Sequence, residues 1–328
     1  MNVKSRVRIG AAVGTVALGL GALAAPAAYA DPSSATDYRQ LAGVGSDTTQ
    51  DVMNALGNAI TNSNGKVIAS WNATGTTSTI TTKASGSCTI NRPDGSGAGI
   101  TALNTALDGS TGCVDFARSS RGPNNTTTTD LTFIPYAKDA VSWVKQDGSA
   151  LPDNLTTAQL QAIYTCSLTT LNGVALTPIL PQSASGTRAF FLSSIGVTTP
   201  GSCVTTNSSI QENDGSVIDS AGDIFPYSVA QYTAQETSVV DDRRGEAVLG
   251  SVDGQGPRNE DDLSLNLSFP YLRNVYNVVP TAKLSDTLIA DTFVGTGSKV
   301  CANTSIITDY GFGTLGSDCG STTLKGES

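Results

Sequence analysis

Histidine is absent from all 328 residues of the chain. Its absence excludes a Ser-His-Asp or Cys-His relay, a histidine metal site and a histidine general base. The six cysteines contain no C-x-x-C pair, so a zinc cluster lacks its usual ligand spacing. Trp71, Trp143 and the nine tyrosines are scattered, which fits core packing better than a sugar-stacking platform. Basic residues are outnumbered, with 19 Lys and Arg against 28 Asp and Glu, a formal net charge of −9. Such a chain is a poor partner for nucleic acid or an anionic membrane. If it binds an anion, local dipoles must act against an unfavourable overall field. No metal and no cofactor is expected.

The N-terminus reads as a targeting segment. Lys4, Arg6 and Arg8 precede an apolar, Gly- and Ala-rich run from Ile9 to Ala25, and Ala28-Tyr29-Ala30 is a small-x-small cleavage site before Asp31. The run is short and glycine-rich, so residues 1–30 are expected to be a removed signal peptide, leaving no membrane anchor in the mature chain. No cysteine near the cleavage site offers a lipid attachment point, and no twin arginine is present. The expectation is an ordinarily secreted protein, extracellular or wall-associated. Cys88, Cys113, Cys166, Cys203, Cys301 and Cys319 all follow the leader. An even count outside the cytoplasm implies three disulfides. Fifteen pairings are possible, and sequence neighbours (88–113, 166–203, 301–319) are expected because each pair then lies within one segment.

Beyond the leader, short apolar runs alternate with helical periodicity. Strands are expected at Lys66–Ser70, Cys113–Ala117, Phe133–Val144, Thr177–Leu180, Ile224–Val229 and Tyr271–Val279, and helices near Val52–Ile60, Ile100–Leu107, Thr156–Tyr164 and Arg188–Ile195. This pattern predicts an α/β protein with mainly parallel sheets flanked by helices. Three Gly/Ser/Thr turns each open a helix: Gly43–Asp51, Asp94–Thr101 and Ser183–Arg188. Such turns present free N–H groups and about half a positive charge from the helix dipole. Together they could surround a tetrahedral anion with neutral donors. Any one of them could equally be a loop or a plain N-cap.

In order and spacing these segments resemble the phosphate-binding proteins of bacterial ABC transporters, with their two-lobed type II periplasmic-binding-protein fold. Gly43-Val44-Gly45-Ser46-Asp47-Thr48 is similar to that family's first anion loop, and Gly95-Ser96-Gly97-Ala98-Gly99 to its second. Val114-Asp115-Phe116-Ala117-Arg118-Ser119-Ser120 resembles the following strand and loop, Leu155–Tyr164 the first helix of lobe two, and Ser185-Gly186-Thr187 the third anion loop. The resemblance implies a ligand cleft between lobe one (31–132 plus 275–328) and lobe two (133–274), with hinge crossings near Phe133 and Asn274. The implied ligand-binding residues are Ser46, Asp47, Thr48, Ser96, Gly97, Arg118, Ser120, Ser185, Gly186, Thr187 and Arg188. Two departures stand out. Ser120 replaces the family's proton-accepting Asp, and Pro181-Gln182-Ser183-Ala184 lacks the Arg that often precedes Ser-Gly-Thr. Asp47 could replace the acceptor, and Arg118, Arg121 or Arg188 the cation. Asp47 is also a natural helix N-cap, and the arginines are natural surface ion-pair partners.

Asn259-Glu260-Asp261-Asp262 and Glu212-Asn213-Asp214-Gly215 are acidic, but neither completes a calcium loop, so both are expected to be solvated turns. The expected function is capture of inorganic phosphate or a related oxyanion for uptake or sensing, by a non-enzymatic monomer with an ABC permease as a partner. The alternatives are a secreted phosphoesterase and a binding module for sulfate, molybdate or a small organic phosphate.

Overall fold

A computed structural model describes residues 31–32, 37–84 and 87–327. The expected signal peptide, residues 1–30, lies outside the described residues. Strand β1 (Leu41–Gly45) runs into the first turn, which opens helix α1 (Gln50–Ala59). Val52, Met53 and Leu56 face inward from α1, as their spacing predicts. Strand β2 (Ile68–Ser70) is shorter than the expected run because Lys66 pairs in a hairpin with Thr61. The second turn opens α2 (Ser96–Asp108), which leads to β3 (Phe116–Ser119). β3 starts later than expected because Cys113 and Asp115 are spent on other contacts: a disulfide to Cys88 and a hydrogen bond from the Ala42 amide.

Strand β4 (Leu131–Gln146) is 16 residues long and exceeds the expected strand at both ends. Helix α3 (Thr157–Tyr164) begins at a reciprocal capping box. The Thr156 hydroxyl accepts the Gln159 amide at 3.1 Å, and the Gln159 side chain accepts the Thr156 amide at 2.9 Å. Next come β5 (Thr177–Pro178) and α4 (Gly186–Ser194). α4 starts two residues before the expected Arg188, because Ser185 caps it by accepting the Arg188 amide at 2.9 Å. The remaining main elements are β6 (Asp223–Ser228), α5 (Val229–Glu236), β7 (Ala247–Leu249), β8 (Leu272–Pro280) and β9 (Lys325–Gly326).

These nine strands form one sheet in the order β5-β6-β4-β8-β3-β1-β2, with β7 and β9 also pairing to β4. The flanks are parallel: β1 with β2 and β3, and β5 with β6. β4 and β8 run antiparallel along each other from Leu131↔Pro280 to Ala140↔Leu272 and join the flanks. The hydrophobic core divides along this pair. Val52, Met53, Phe116, Ala137 and Val275 belong to one side, and Ala140, Trp143, Tyr164, Phe191 and Tyr271 to the other. Each fully buried aromatic or aliphatic side chain contributes roughly 1.5–3 kcal/mol, so each side has its own stabilising core. Where the cores part, β4 and β8 carry the buried charges Asp139 and Arg273.

The three disulfides pair sequence neighbours, Cys88–Cys113, Cys166–Cys203 and Cys301–Cys319, as expected. Among the described residues no helix is long and apolar enough to cross a membrane.

Candidate functional site

The three glycine-rich turns meet. The Gly97 amide of the second donates to the Ala184 carbonyl of the third at 3.0 Å. Ser96 sits at the start of α2, fully buried, 3.2 Å from the Ser120 hydroxyl, and its oxygen accepts the Ser120 amide at 3.0 Å. Gly186 packs directly on this pair. A Cβ there would lie 2.3 Å from Ser96 Oγ and 2.4 Å from Ser120 Oγ, so the approach requires glycine. The first turn joins through Thr48, whose hydroxyl is 3.1 Å from that of Thr187. Ser46, Thr48, Ser96, Ser120, Ser185, Gly186 and Thr187 are all buried here.

Further contacts hold the two halves together. Gln231 donates to the Thr48 carbonyl at 2.8 Å. Gln182 and Gln211 both donate to Asp94, at 3.3 and 3.0 Å. Burial raises the Asp94 carboxyl, and the two amides partly offset this.

The three sequence-nominated arginines are occupied elsewhere. Arg118 is fully buried and donates to the carbonyls of Ser46, Gly43 and Gly45 and to the Ser70 hydroxyl. It braces the first turn through its backbone. Burial lowers its guanidinium to about 10, which still leaves it charged at neutral pH. Arg121 donates to the Gly122 carbonyl. Arg188 donates to the Pro181 carbonyl and the Thr206 hydroxyl.

A further cation in contact with the third turn is Arg273 on β8. It is 4 % exposed and donates through Nη2 to the Thr187 hydroxyl at 3.1 Å. Nε and Nη2 also donate to Asp139 Oδ2, at 3.0 and 2.8 Å, while Nη1 has no partner among the described residues. Asp139 is held in turn by the Ser228 hydroxyl and the Ala230 amide. The available signal was charge inside two largely apolar strand segments, Lys138 and Asp139 in Phe133–Val144 and Arg273 in Tyr271–Val279. Neither segment lies near a glycine-rich turn in sequence. Arg273 also lines a 300 Å³ cavity with Arg121 and Lys138, a local concentration of positive charge in an acidic chain.

Asp47 is buried. Its Oδ2 accepts from Asn213 at 2.9 Å, Arg243 lies 3.8 Å from its Oδ1, and no hydrogen bond from the described residues reaches Oδ1. It does not cap α1, whose N-cap is Thr49 without a side-chain hydrogen bond. Burial would lower the Arg243 guanidinium, but Asp47 and Asp51 outweigh it and leave it raised.

The acidic segment around Glu212 departs from expectation. Glu212 and Asn213 are fully buried, not part of a solvated turn. Asn213 is pinned through its side chain to Asp47 and Ser228, and through its carbonyl to Tyr227 and Gln235. Glu212 Oε2 accepts the Thr187 amide and the Thr48 hydroxyl, both at 3.2 Å.

The arrangement can hold an oxyanion. It brings together the hydroxyls and helix starts of three turns, a guanidinium with one N–H unpaired among the described residues, and a carboxylate able to accept a proton-borne hydrogen bond.

Comparison with known proteins agrees with this architecture. The profile of the PBP superfamily domain matches residues 30–308. An ABC-type phosphate transport receptor from Vibrio cholerae superposes with a TM-score of 0.56 at 17% identity, over 84% of this chain and 100% of that one. A substrate-binding protein assigned to a phosphate ABC transporter of Clostridium perfringens, solved with bound phosphate, gives 0.57 at 17% identity, over 84% and 99%. No curated protein matches the chain. At such identities the likeness speaks for the two-lobed α/β fold. With a superfamily profile matched over most of its length, the chain belongs to the PBP superfamily.

Proposed function

We propose that the protein is a secreted solute-binding protein that captures inorganic phosphate, or a closely related tetrahedral oxyanion, between two lobes for uptake or sensing. The carrying observation is the meeting of three helix-opening turns around Ser96, Gly186 and Thr187, with the free Nη1 of Arg273 beside them. Donors of this kind suit an anion even in an acidic chain, because helix termini and hydroxyls add no net charge. The lobes are 31–132 plus 275–328 and 133–274, hinged where β4 and β8 pass between the cores. Enclosing the anion between them strengthens each contact by excluding water. The phosphate-receptor neighbours support a partnership with an ABC permease. Secretion rests on the N-terminal leader.

Asp47 gives the reading its selectivity. Hydrogen phosphate has a proton to donate and sulfate has none, so the free Asp47 oxygen favours phosphate and repels sulfate. A charge-assisted hydrogen bond of this kind is worth about 1.5–3 kcal/mol. The test is thermal shift and calorimetry on mature protein dialysed free of phosphate. Phosphate should raise the melting temperature well above sulfate, and Asp47→Asn should narrow the gap by about tenfold or more in affinity. Equal responses to both anions in the wild type would refute the phosphate assignment. Release of phosphate from a chromogenic ester would favour a phosphoesterase instead.

A further inference from the structure

Helix α4 already has a carboxylate at its N-terminus, and it comes from the protein itself. Glu212 Oε2 takes the Thr187 amide and the Thr48 hydroxyl, donors from two different anion turns. An incoming oxyanion would need the same two groups. Arg273 is more than nine-tenths buried, bonds to the Thr187 hydroxyl and keeps Nη1 unpaired, so the position is built for negative charge beyond the helix terminus alone. Asn213 is anchored on four sides and carries an αL backbone (φ 55°), and this fixes the root of the Glu212 side chain. The other Glu212 oxygen, Oε1, is buried without a partner among the described residues.

We propose that Glu212 is a tethered carboxylate that competes with the ligand for the oxyanion position, so that the anion binds as Glu212 takes up a proton from solvent and yields its donors. The proposal rests on the oxyanion reading of the site and deepens it by assigning the residue that sets affinity and its pH dependence.

The charges facing Glu212 decide the sign. Asp47 comes from the first turn, Arg273 from β8 with Asp139 of β4 behind it, and Arg243 from the segment after α5, near Asp47. Asp51 lies in the first turn of α1, where Gln231 of α5 reaches both it and the Thr48 carbonyl. The α4 and Thr48 contacts are neutral donors. Burial pushes the Glu212 carboxyl up, and Asp47 adds to this, while the Thr187 contacts and Arg273 hold it down. An arriving anion adds a further like charge and drives the carboxyl higher. Binding and protonation therefore favour each other, and by reciprocity lower pH tightens binding.

The test compares wild type with Glu212→Gln by calorimetry with inorganic phosphate across pH 5–8. Phosphate's own ionisation is common to both proteins and cancels in the ratio of their affinities. The ratio should sit near one at the acid end and climb to about tenfold or more in favour of Glu212→Gln at the alkaline end, the range of an ordinary coupling between sites. Asp51→Asn should retain the wild-type pH dependence, which separates the two acids. If Glu212→Gln melts below the assay temperature, Glu212→Ala is read the same way. A pH-independent ratio, or tighter binding by wild type throughout, overturns the tethered-carboxylate proposal and leaves the phosphate reading intact. No phosphate binding by either protein at any pH overturns both.

Discussion

Arg273 donates two N–H groups to a single Asp139 oxygen, at 3.0 and 2.8 Å, on adjacent strands where the two hydrophobic cores part. Both side chains are almost fully withdrawn from water. Burying two charges is costly, and the cost is offset here by the pair itself and by the Ser228 and Ala230 donors to Asp139. The same guanidinium reaches Thr187, so one ion pair both joins the long strands and brings positive charge to the third glycine-rich turn.

Removing one partner should be much worse than removing both. Arg273→Met leaves Asp139 buried and unpaired, and should lower stability by about 3–5 kcal/mol. Phosphate binding should be lost in Arg273→Met, and adding Asp139→Leu should recover most of the stability without restoring binding. Urea denaturation midpoints with parallel binding assays check both. Full binding by the double variant would show that Arg273 does not serve the ligand.

Gly186 should tolerate a methyl group in its own backbone but not in its contacts. Its backbone is helical, so Ala adds helix propensity, but the clash with two buried serines outweighs this and the melting temperature should fall modestly. The new Cβ must push Ser96 and Ser120 apart, since it would otherwise lie within 2.4 Å of both hydroxyls. Gly186→Ala is expected to weaken phosphate binding by about tenfold or more, a loss of roughly 1.4 kcal/mol. Unchanged affinity in calorimetry would place the ligand away from this contact.

Asp51 should make the protein less stable as pH rises through the mildly acid range. Burial raises its carboxyl to about 6, helped by Asp47, against an ordinary value near 3.8. Between those values the folded state binds more protons than the unfolded state. Stability therefore falls with rising pH across that window and levels off above it. Asp51→Asn should flatten this slope and add on the order of 1 kcal/mol at pH 7. The gain is kept small by residual solvent contact and by the loss of a favourable charge in the first turn of α1. Thermal melts from pH 4 to 7.5 read the effect, and an unchanged slope would assign it to another acid.

Much of this protein is written locally. Alternation of apolar runs with helical spacing sufficed for the α/β class, and the expected helix Thr156–Tyr164 lies within one residue of α3, which Thr156 caps. The disulfide pairing followed chain proximity. The three turns announced themselves because glycine, serine and threonine at a helix start are a local signal.

Where charges finish was decided only by tertiary contact. Asp139 and Arg273 are 134 residues apart, and Glu212 reaches Thr48 across 164. No spacing rule spans such distances. An acidic run such as Glu212–Gly215 reads as solvated because charge is costly to bury, unless distant donors compensate for it. Here the Thr187 amide and the Thr48 hydroxyl are those donors. The chain alone determined which segments can present anion-binding groups. Folding decided which cation and which carboxylate stand among them, because those partners are chosen by which strands and turns pack together and not by neighbours in sequence.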